Sequence, residues 1–442
     1  MAEIIRIKKG LDIPLSGKPS SEVTADNKTT LFAICPDDFP GHIWKSVVKP
    51  GDSVVAGQPL LKDKATGRIV LASPVSGKVE EVRRGERRHI EFISVSKDSD
   101  KAPEKRALPR DREQIRNIIL ESGLWAMIRQ RPYDIIPDPD NVPRDIFVTA
   151  FDSAPLAGDI LDESVLRWME IGFKNLIMLT SGGIYLGVKA GTDIKSKYSK
   201  VYEFDGPHPA GNVGTQIAAI KPVNKGETVW TLDAATVAKI GRLCEEGVYD
   251  FSTRVAITGP EVKNPRIVST HMGASIDTLL DGELKTENDI RIISGNVLTG
   301  IKVKKDGFLR FPYRQITVID EGANADEFMG WASLSPKKYS VKRSFPAFLR
   351  GLSKPFDFDA RIKGGHRAMI LSGEYDKVFP FDIYPEYLLK AIMAGDIDRM
   401  EKLGIYEVAP EDFALPEFVD TSKIELQKIV REGLDNLRKE LS

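Results

Sequence analysis

A glycine-rich segment has the spacing of a phosphate-binding loop. In TSGGIYLGVKAG (180–191), Gly182 and Gly187 have the G-x-x-x-x-G spacing, and the segment comes after a run that is typical of a strand. Lys189 is displaced from the position of the usual lysine, and the Ser or Thr that would bind Mg²⁺ is missing. We therefore predict either a degenerate ligand loop of Gly182, Gly183 and Gly187 or a tight turn without a ligand.

Histidines and cysteines are the next residues with chemical potential. The two cysteines, Cys35 and Cys244, are too few to hold an iron–sulfur cluster. No pair of histidines has the spacing of a zinc motif; they stand at positions 42, 89, 208, 271 and 366. His208 lies between two prolines in DGPHPAGNVGT (205–215), where it is either structural or a polar contact for a ligand. The sequence predicts no metal site, no catalytic residue and no cofactor-binding residue in this chain.

Lys64 occupies a place where a prosthetic group could be attached. KPGDSVVAGQPLL (49–61) and SPVSGKV (73–79) resemble the hairpins of the biotinyl/lipoyl barrel, and Asp63-Lys64-Ala65 stands at the tip. The hairpin from Lys64 to Gly77 is longer than in carrier domains. We expect an unmodified, structural barrel; a lipoyl- or biotin-dependent transferase is the alternative.

Charge and hydropathy exclude several classes of protein. Basic and acidic residues number 63 and 64, a balance that argues against a nucleic-acid partner. No run of about 18 apolar residues is present, and the charged N-terminal segment is unlike a signal peptide. We expect a chain that is held at a membrane, if at all, by partner subunits.

Periodicity predicts the elements that must position these residues. Strand patterns at 145–150 and 175–180 alternate with helix patterns at 162–171 and 234–246, which indicates a parallel α/β layer. After residue 254, short strands and one short helix indicate a small α+β module. The segments 384–396 and 423–441 are typical of helices.

Several segments together resemble one family, the A subunits of the Na⁺-translocating NADH:quinone reductases. They are IRIKKGLDIPLSG (5–17), the barrel hairpins, GPHPAGNVGT (206–215), RIISGNVLTG (291–300) and FDIYPEYLLKAIMAGDID (381–398). Many relatives read G-T-H-I-H after the HPAG segment, whereas this chain has Gln216 and Ala218 in place of the two histidines. A role of those histidines therefore cannot carry over.

The resemblance implies a multidomain α+β and α/β chain with four parts. They are a biotinyl/lipoyl-like β-barrel (1–100), a Rossmann-like α/β domain (101–253), a β-grasp domain of the soluble-ligand-binding (SLBB) type (254–330) and a mainly helical C-terminal domain (331–442). VAITGPEVKNPRIVSTHMGASIDTLL (255–280) looks like the β-grasp module.

The resemblance also implies a function. The parent complex uses NADH, flavins, an iron–sulfur centre and quinone, and it couples quinone reduction to Na⁺ export. This chain would be a peripheral subunit on the cytoplasmic face of the bacterial inner membrane. It would bind subunits B to F and contribute to the quinone-reducing half. A quinone requires an apolar, aromatic-lined slot; our candidates are Phe147, Phe151, Trp168, Tyr185 and His208. The alternatives are that the aromatic residues are plain core and that the chain is a scaffold without a ligand site.

Overall fold

The computed structural model describes residues 3–98, 105–323, 338–342, 344–346 and 354–441. The predicted domain boundaries at residues 100 and 330 lie outside these ranges. The chain begins with two short strands, β1 (Glu3–Arg6) and β2 (Val23–Ala25), which join two different sheets described below.

The barrel unit follows and consists of two small antiparallel sheets. Its strands are β3 (Leu31–Ile34), β4 (Trp44–Ser46), β5 (Ser53–Val54), β6 (Pro59–Asp63), β7 (Val70–Ala72), β8 (Gly77–Arg84) and β9 (Ile90–Lys97). The sheet orders are β3-β9-β8-β5 and β4-β6-β7. Leu60, Leu61, Ile93 and Val95 are completely buried between them. Lys64 lies at the exposed turn between β6 and β7, which is the predicted tip.

The α/β unit has a six-stranded sheet in the order β1-β13-β12-β11-β14-β10, parallel except for β10. Its elements are α1 (Arg112–Glu121), β10 (Arg129–Arg131), β11 (Asp145–Thr149), α2 (Glu163–Leu176), β12 (Ile184–Lys189), β13 (Lys200–Asp205), α3 (Val213–Ile220), β14 (Val229–Asp233) and α4 (Ala234–Glu246). The predicted helix at 234–246 is confirmed, and it ends at Gly247 with φ +67°.

The strand that we predicted at 175–180 is wrong. Helix α2 runs to Leu176, and a 3-10 turn continues over Ile177–Leu179. Phe173, Leu176 and Leu179 are buried at helical spacing, so this apolar run completes the buried stripe of α2. A short apolar run does not by itself distinguish a strand from a buried helix end.

The third unit, which we call the mixed-sheet unit, has strands in the order β18-β17-β19-β15-β16-β2, with both parallel and antiparallel pairs. Its elements are β15 (Ser252–Thr258), β16 (Arg266–His271), α5 (Ile276–Leu280), β17 (Ile290–Ser294), β18 (Ile301–Val303) and β19 (Gln315–Asp320). The predicted α+β character of this segment is confirmed.

The helical unit comprises α6 (Pro385–Met393), α7 (Ile397–Lys402), α8 (Ala414–Val419) and α9 (Leu426–Leu441). Its core joins Leu388, Phe413 and Leu434 with their neighbours, all three completely buried. A buried ion pair connects it to the α/β unit, because Arg131 Nη1 lies 2.6 Å from Asp412 Oδ2. Both side chains are at most 2% exposed.

Residues 3–25 lie outside the barrel sheets. Strand β1 pairs with β13 of the α/β unit, and β2 pairs with β16 of the mixed-sheet unit. Between them, Ser16 N donates to Phe356 O at 3.0 Å, and Ile13 packs into the core of the helical unit. We call residues 3–26 the N-terminal strap, because they cross three units before the first barrel strand begins at Leu31.

Candidate functional site

The parallel sheet has one point where the direction of strand addition reverses. From β11 the chain passes through α2 to β12 on one side, whereas β14, reached through α3, lies on the other side. In open α/β sheets, ligands bind outside the carboxyl ends of the strands at such a switch point. Asp162 and Asp233, which begin α2 and α4, mark this edge.

A cavity of about 300 Å³ lies at this edge and is closed by three units. The barrel unit contributes Cys35, Asp38 and Phe39, and the α/β unit contributes Ile160, Trp168 and Lys239. The mixed-sheet unit contributes Arg254, Leu309, Phe311, Tyr313 and Arg314. The cavity therefore exists only when these three units are packed together.

Ion pairs between units neutralise three of the five aspartates of the cavity wall. Three arginines of the mixed-sheet unit contact three aspartates of the other units; the closest distances are 3.1 Å for Arg254–Asp162, 3.4 Å for Arg314–Asp233 and 2.6 Å for Arg310–Asp38. Asp162 and Asp233 also accept the backbone N–H groups of Val165 and Thr236. The N-termini of α2 and α4 thus already hold a carboxylate each, which leaves little attraction for a phosphate.

One buried cation lines the same cavity. The Lys239 ammonium donates to the carbonyl oxygen of Ser252, and burial lowers the pKa of Lys239. Burial alone would raise the pKa of Asp250, but Lys239 and the hydrogen bonds from Ser252 outweigh it, and the pKa of Asp250 is lowered. An ammonium has three N–H donors, so Lys239 can hydrogen-bond a ligand oxygen in addition to Ser252.

Aromatic side chains form the rest of the wall. Phe39 and Phe311 stack with ring centroids 5.0 Å apart, and Trp168 is 8% exposed on the α2 side. Burial raises the pKa of Tyr313, and its hydroxyl donates its single proton to the carbonyl oxygen of Thr299. The cavity combines planar apolar surfaces with a few polar donors and suits a neutral, planar ligand with carbonyl oxygens.

The structure does not gather the five predicted quinone-site residues into one slot. Trp168 lines the cavity, but Phe147 and Tyr185 stack at 4.9 Å in a separate cluster with Ile217 of α3. Successive side chains of a strand point to opposite faces, so Phe147 cannot share the face of Ile146 and Val148, which pack on the same core as α2.

The other two predicted residues lie at the strap. Phe151 packs against a small core of Ile7, Phe204 and Ala210. His208 is 3% exposed, its Nδ1 lies 3.0 Å from Ser153 Oγ, and its backbone N–H donates to Asp12. Burial lowers the pKa of His208, and Gly211 N–H donates to the Ser153 hydroxyl, which can then donate to Nδ1. This histidine is satisfied by structural contacts.

The prediction that the glycine-rich segment is a loop after a strand is wrong. Gly182 and Gly183 connect the α2 end to β12, and Gly187 lies inside β12. Gly182 and Gly183 are thus at the amino end of a parallel strand, opposite the edge where ligands bind. Packing requires a glycine at position 187, because a Cβ there would lie 2.2 Å from Gln216 Oε1.

Sequence reasoning missed most of the cavity, above all Asp38, Lys239 and Arg310. Two residues in the sequence could have pointed to the cavity, Asp162 and Asp233. Each is an aspartate directly before a helix pattern, α2 in the first case and α4 in the second. The barrel and mixed-sheet contributions had no such signal, because they depend on how separate units pack.

The two thiols are poor metal ligands in this fold. Burial raises the pKa of Cys35 and of Cys244 to about 12, which disfavours the thiolate form that binds metals. Within the part of the chain that the structure describes, no three His, Cys, Asp or Glu side chains are grouped to hold a metal ion. Over the same part, no helix is sufficiently long and apolar to cross a membrane.

Fold and cavity define a protein class: a multidomain chain that joins a barrel-sandwich unit to an α/β unit and a further mixed-sheet unit. Models of three domains match it in this order: the NqrA N-terminal barrel-sandwich hybrid domain (5–98), the NqrA second alpha/beta domain (110–249) and the NQRA C-terminal domain, of SLBB type (254–305). The chain belongs to the NqrA family, which comprises the A subunits of the Na⁺-translocating NADH-quinone reductases.

Curated relatives match over almost the whole chain. The NqrA protein of Hahella chejuensis is 39% identical and that of Neisseria meningitidis serogroup B is 36% identical, each covering 99% of this chain and 100% of the relative. The Rhodopirellula baltica relative is 36% identical over 99% of this chain and 98% of its own. Among solved structures, an NAD⁺-reducing [NiFe]-hydrogenase aligns at 11% identity over 74% of this chain and 61% of that chain, with a TM-score of 0.37.

Proposed function

We propose that this chain is a peripheral subunit of a Na⁺-translocating NADH:quinone oxidoreductase on the cytoplasmic face of the bacterial inner membrane. Its family membership supports this role, since the relatives are named for this reaction. The complex reduces quinone with NADH and exports Na⁺. The isolated chain does not catalyse this reaction. Subunits B to F are its partners, and they carry the flavins and the iron–sulfur centre.

We further propose that the chain contributes to the quinone-reducing half by holding a quinone ring in the cavity between the three units. The observation that carries this proposal is the pairing of three wall aspartates, Asp162, Asp38 and Asp233, with three arginines, Arg254, Arg310 and Arg314. A neutral quinone ring has no charge that the wall must compensate. The negative charge of a nucleotide phosphate, in contrast, would be repelled by the carboxylates of Asp162 and Asp233, which cap α2 and α4.

Lys239 is the hydrogen-bond donor for a ring carbonyl, and Phe311 and Trp168 supply flat surface. These side chains come from the α/β unit and the mixed-sheet unit, so the ring would be held where these two units meet. Electrons would come from a partner in the complex, because the proposal assigns this chain binding and orientation only.

Titration of the purified chain with a water-soluble quinone analogue, followed by calorimetry, tests the proposal. We expect saturable micromolar binding that Phe311→Ala weakens about tenfold, which corresponds to about 1.4 kcal/mol. Tyr185→Ala is the matched control, because Tyr185 lies in the separate cluster with Phe147 and outside the cavity wall. Weakening by Tyr185→Ala alone would place the ligand elsewhere, and no binding up to the solubility limit would reject a quinone site in the isolated chain.

A structural scaffold is the second candidate function. It is favoured by the N-terminal strap and by the Arg131–Asp412 pair, which together fix the α/β, mixed-sheet and helical units to one another. In that case the chain braces partner subunits and shapes a quinone site from outside. The same titration separates the two functions, since a scaffold binds no quinone by itself.

A further inference from the structure

Lys239 differs from the other cations of the cavity wall in what it contacts. Its ammonium donates to the carbonyl oxygen of Ser252, and no carboxylate of the described residues is in ion-pair contact with it. Each of the four arginines of the wall, in contrast, pairs directly with an aspartate: Arg254 with Asp162, Arg310 with Asp38, Arg314 with Asp233 and Arg242 with Asp250.

The charged groups around Lys239 favour its ammonium form without pairing with it. Burial lowers the pKa of Lys239, and the nearby carboxylates of Asp250 and Asp233 oppose this shift. Both carboxylates are already held by arginines, Asp250 by Arg242 at 2.8 Å and Asp233 by Arg314 at 3.4 Å. The positive charge of Lys239 is therefore available to an oxygen atom of a ligand.

Two further titratable side chains near this part of the wall do not change that balance. Burial lowers the pKa of His271, so its ring is neutral at neutral pH. Asp159 lines the cavity but is exposed, so water screens its charge.

Backbone contacts hold the Lys239 ammonium in place. Ser252 N–H donates to Asp250 Oδ1 at 2.8 Å, which fixes the segment whose carbonyl oxygen accepts from Lys239. Two of the three ammonium N–H groups remain for a ligand. A donor that is already in position stabilises charge that develops during a reaction, because nothing has to reorganise when the charge appears.

We propose that Lys239 is a catalytic residue of quinone reduction, because its ammonium hydrogen-bonds the ring oxygen that becomes negative as electrons arrive. This inference rests on the proposed function and extends it from binding to chemistry. NADH loses two electrons and becomes NAD⁺ in the partner subunits. The quinone gains these two electrons and two protons from the solvent, so that both ring carbonyls become hydroxyls. Lys239 keeps its own proton throughout.

Binding of two naphthoquinones to the purified full chain tests this inference. Methylnaphthoquinone is neutral, whereas a hydroxynaphthoquinone with its hydroxyl conjugated to a ring carbonyl is an anion at neutral pH. We expect the unmodified chain to bind the anion about tenfold more tightly, because a charge-assisted hydrogen bond is stronger than a neutral one. Lys239→Gln should remove this preference, and Lys239→Arg, which keeps the charge, should retain it.

The matched control is Lys64→Gln, which makes the same change of charge at the exposed turn of the barrel unit and should leave both affinities unchanged. Thermal unfolding shows whether each variant is folded. If neither naphthoquinone binds to the unmodified chain, the proposed function fails and this inference fails with it. If both bind without a preference for the anion, or if the two glutamine variants lower that preference equally, only this inference is overturned.

Turnover of the assembled complex gives a second measurement. Lys239→Gln should lower kcat for quinone reduction about a hundredfold with a smaller change in KM, since the hydrogen bond strengthens as charge develops on the ring oxygen. Lys239→Arg should recover most of the loss. A higher KM at unchanged kcat would show that Lys239 contributes equally to binding before and during the reaction, and this result would overturn the inference.

Discussion

Arg131 connects two units of this fold through several contacts. Its guanidinium contacts the carboxylate of Asp412 and donates to the carbonyl oxygen of Glu407, both in the helical unit, from a strand of the α/β unit. A Cβ on Gly214, at the start of α3, would lie 2.3 Å from Asp412 Oδ1. The pair therefore leaves no room for a side chain at position 214, where two units meet.

Breaking this pair should cost more than replacing it. Arg131→Met leaves the Asp412 carboxylate buried without its partner, and we expect a loss of about 3–5 kcal/mol in the free energy of unfolding. Arg131→Met/Asp412→Leu removes both buried charges and should recover most of that loss, because the Glu411 carboxylate that also contacts Arg131 is 41% exposed and can be hydrated. Chemical denaturation of the two single variants and the double variant measures the coupling. If the loss in the double variant equals the sum of the losses in the two single variants, the interaction between Arg131 and Asp412 contributes little to stability.

Among the secondary-structure elements, the contact between α2 and α4 is a very close packing of two helices. A Cβ on Gly241 would lie 2.1 Å from Trp168 O, and a Cβ on Gly172 would lie 2.2 Å from Val237 O. The two helices approach backbone to backbone at these glycines. This contact fixes Trp168 and Lys239, one on each helix, at the cavity.

Gly241→Ala should therefore destabilise the protein, although alanine normally favours a helix interior by about 0.5–1 kcal/mol over glycine. The new methyl group meets backbone atoms that cannot rotate away, and overpacking of this kind costs about 1–3 kcal/mol. Gly433→Ala in α9 is the control, because its closest neighbour is a side-chain carbon of Ile392 at 2.7 Å, which can move. A rise in denaturation midpoint for Gly241→Ala would contradict the argument.

Elements with a local signal were predictable from the sequence, whereas their assembly was not. The aspartate cap and Gly247 set the limits of α4 correctly, because capping chemistry is local. The run at 175–180 was misassigned because only tertiary burial decides between a strand and a helix end. Trp168 was the one predicted quinone-site residue in the cavity, since the remaining wall comes from units whose packing leaves no mark in the local sequence.

At the scale of the whole molecule, the N-terminal strap connects units that are far apart in sequence. Gly17 is a tightly constrained residue of the strap, with φ +89° and a Cβ position 2.2 Å from Gly259 O. Gly17 O also accepts the Gly259 N–H at 3.1 Å. The strap thus lies directly on the backbone at the end of β15, next to the unit that supplies the arginines of the cavity.

Gly17→Ala should loosen the strap and increase cleavage by a protease within residues 3–26. The control is Gly67→Ala, which has a similar φ of +68° but no atom within 4 Å of its Cβ. Both changes force alanine into the left-handed region at a cost of about 1 kcal/mol, and only the first adds a clash with backbone. Limited proteolysis and thermal unfolding distinguish them. Equal behaviour of the two variants would show that the strap contact contributes nothing.

The strap also determines when folding can be completed during synthesis. Val23 pairs with Ile267, and Leu15 bridges to Phe356, so the strap leaves the ribosome hundreds of positions before these partners are made. At about 5–20 residues per second, that delay lasts on the order of tens of seconds. During this time most of the barrel unit can already fold, although its strand β3 also bridges to Ala274 of the mixed-sheet unit. Nascent chains must therefore keep the extended, partly apolar strap from pairing elsewhere until the units that it joins have emerged.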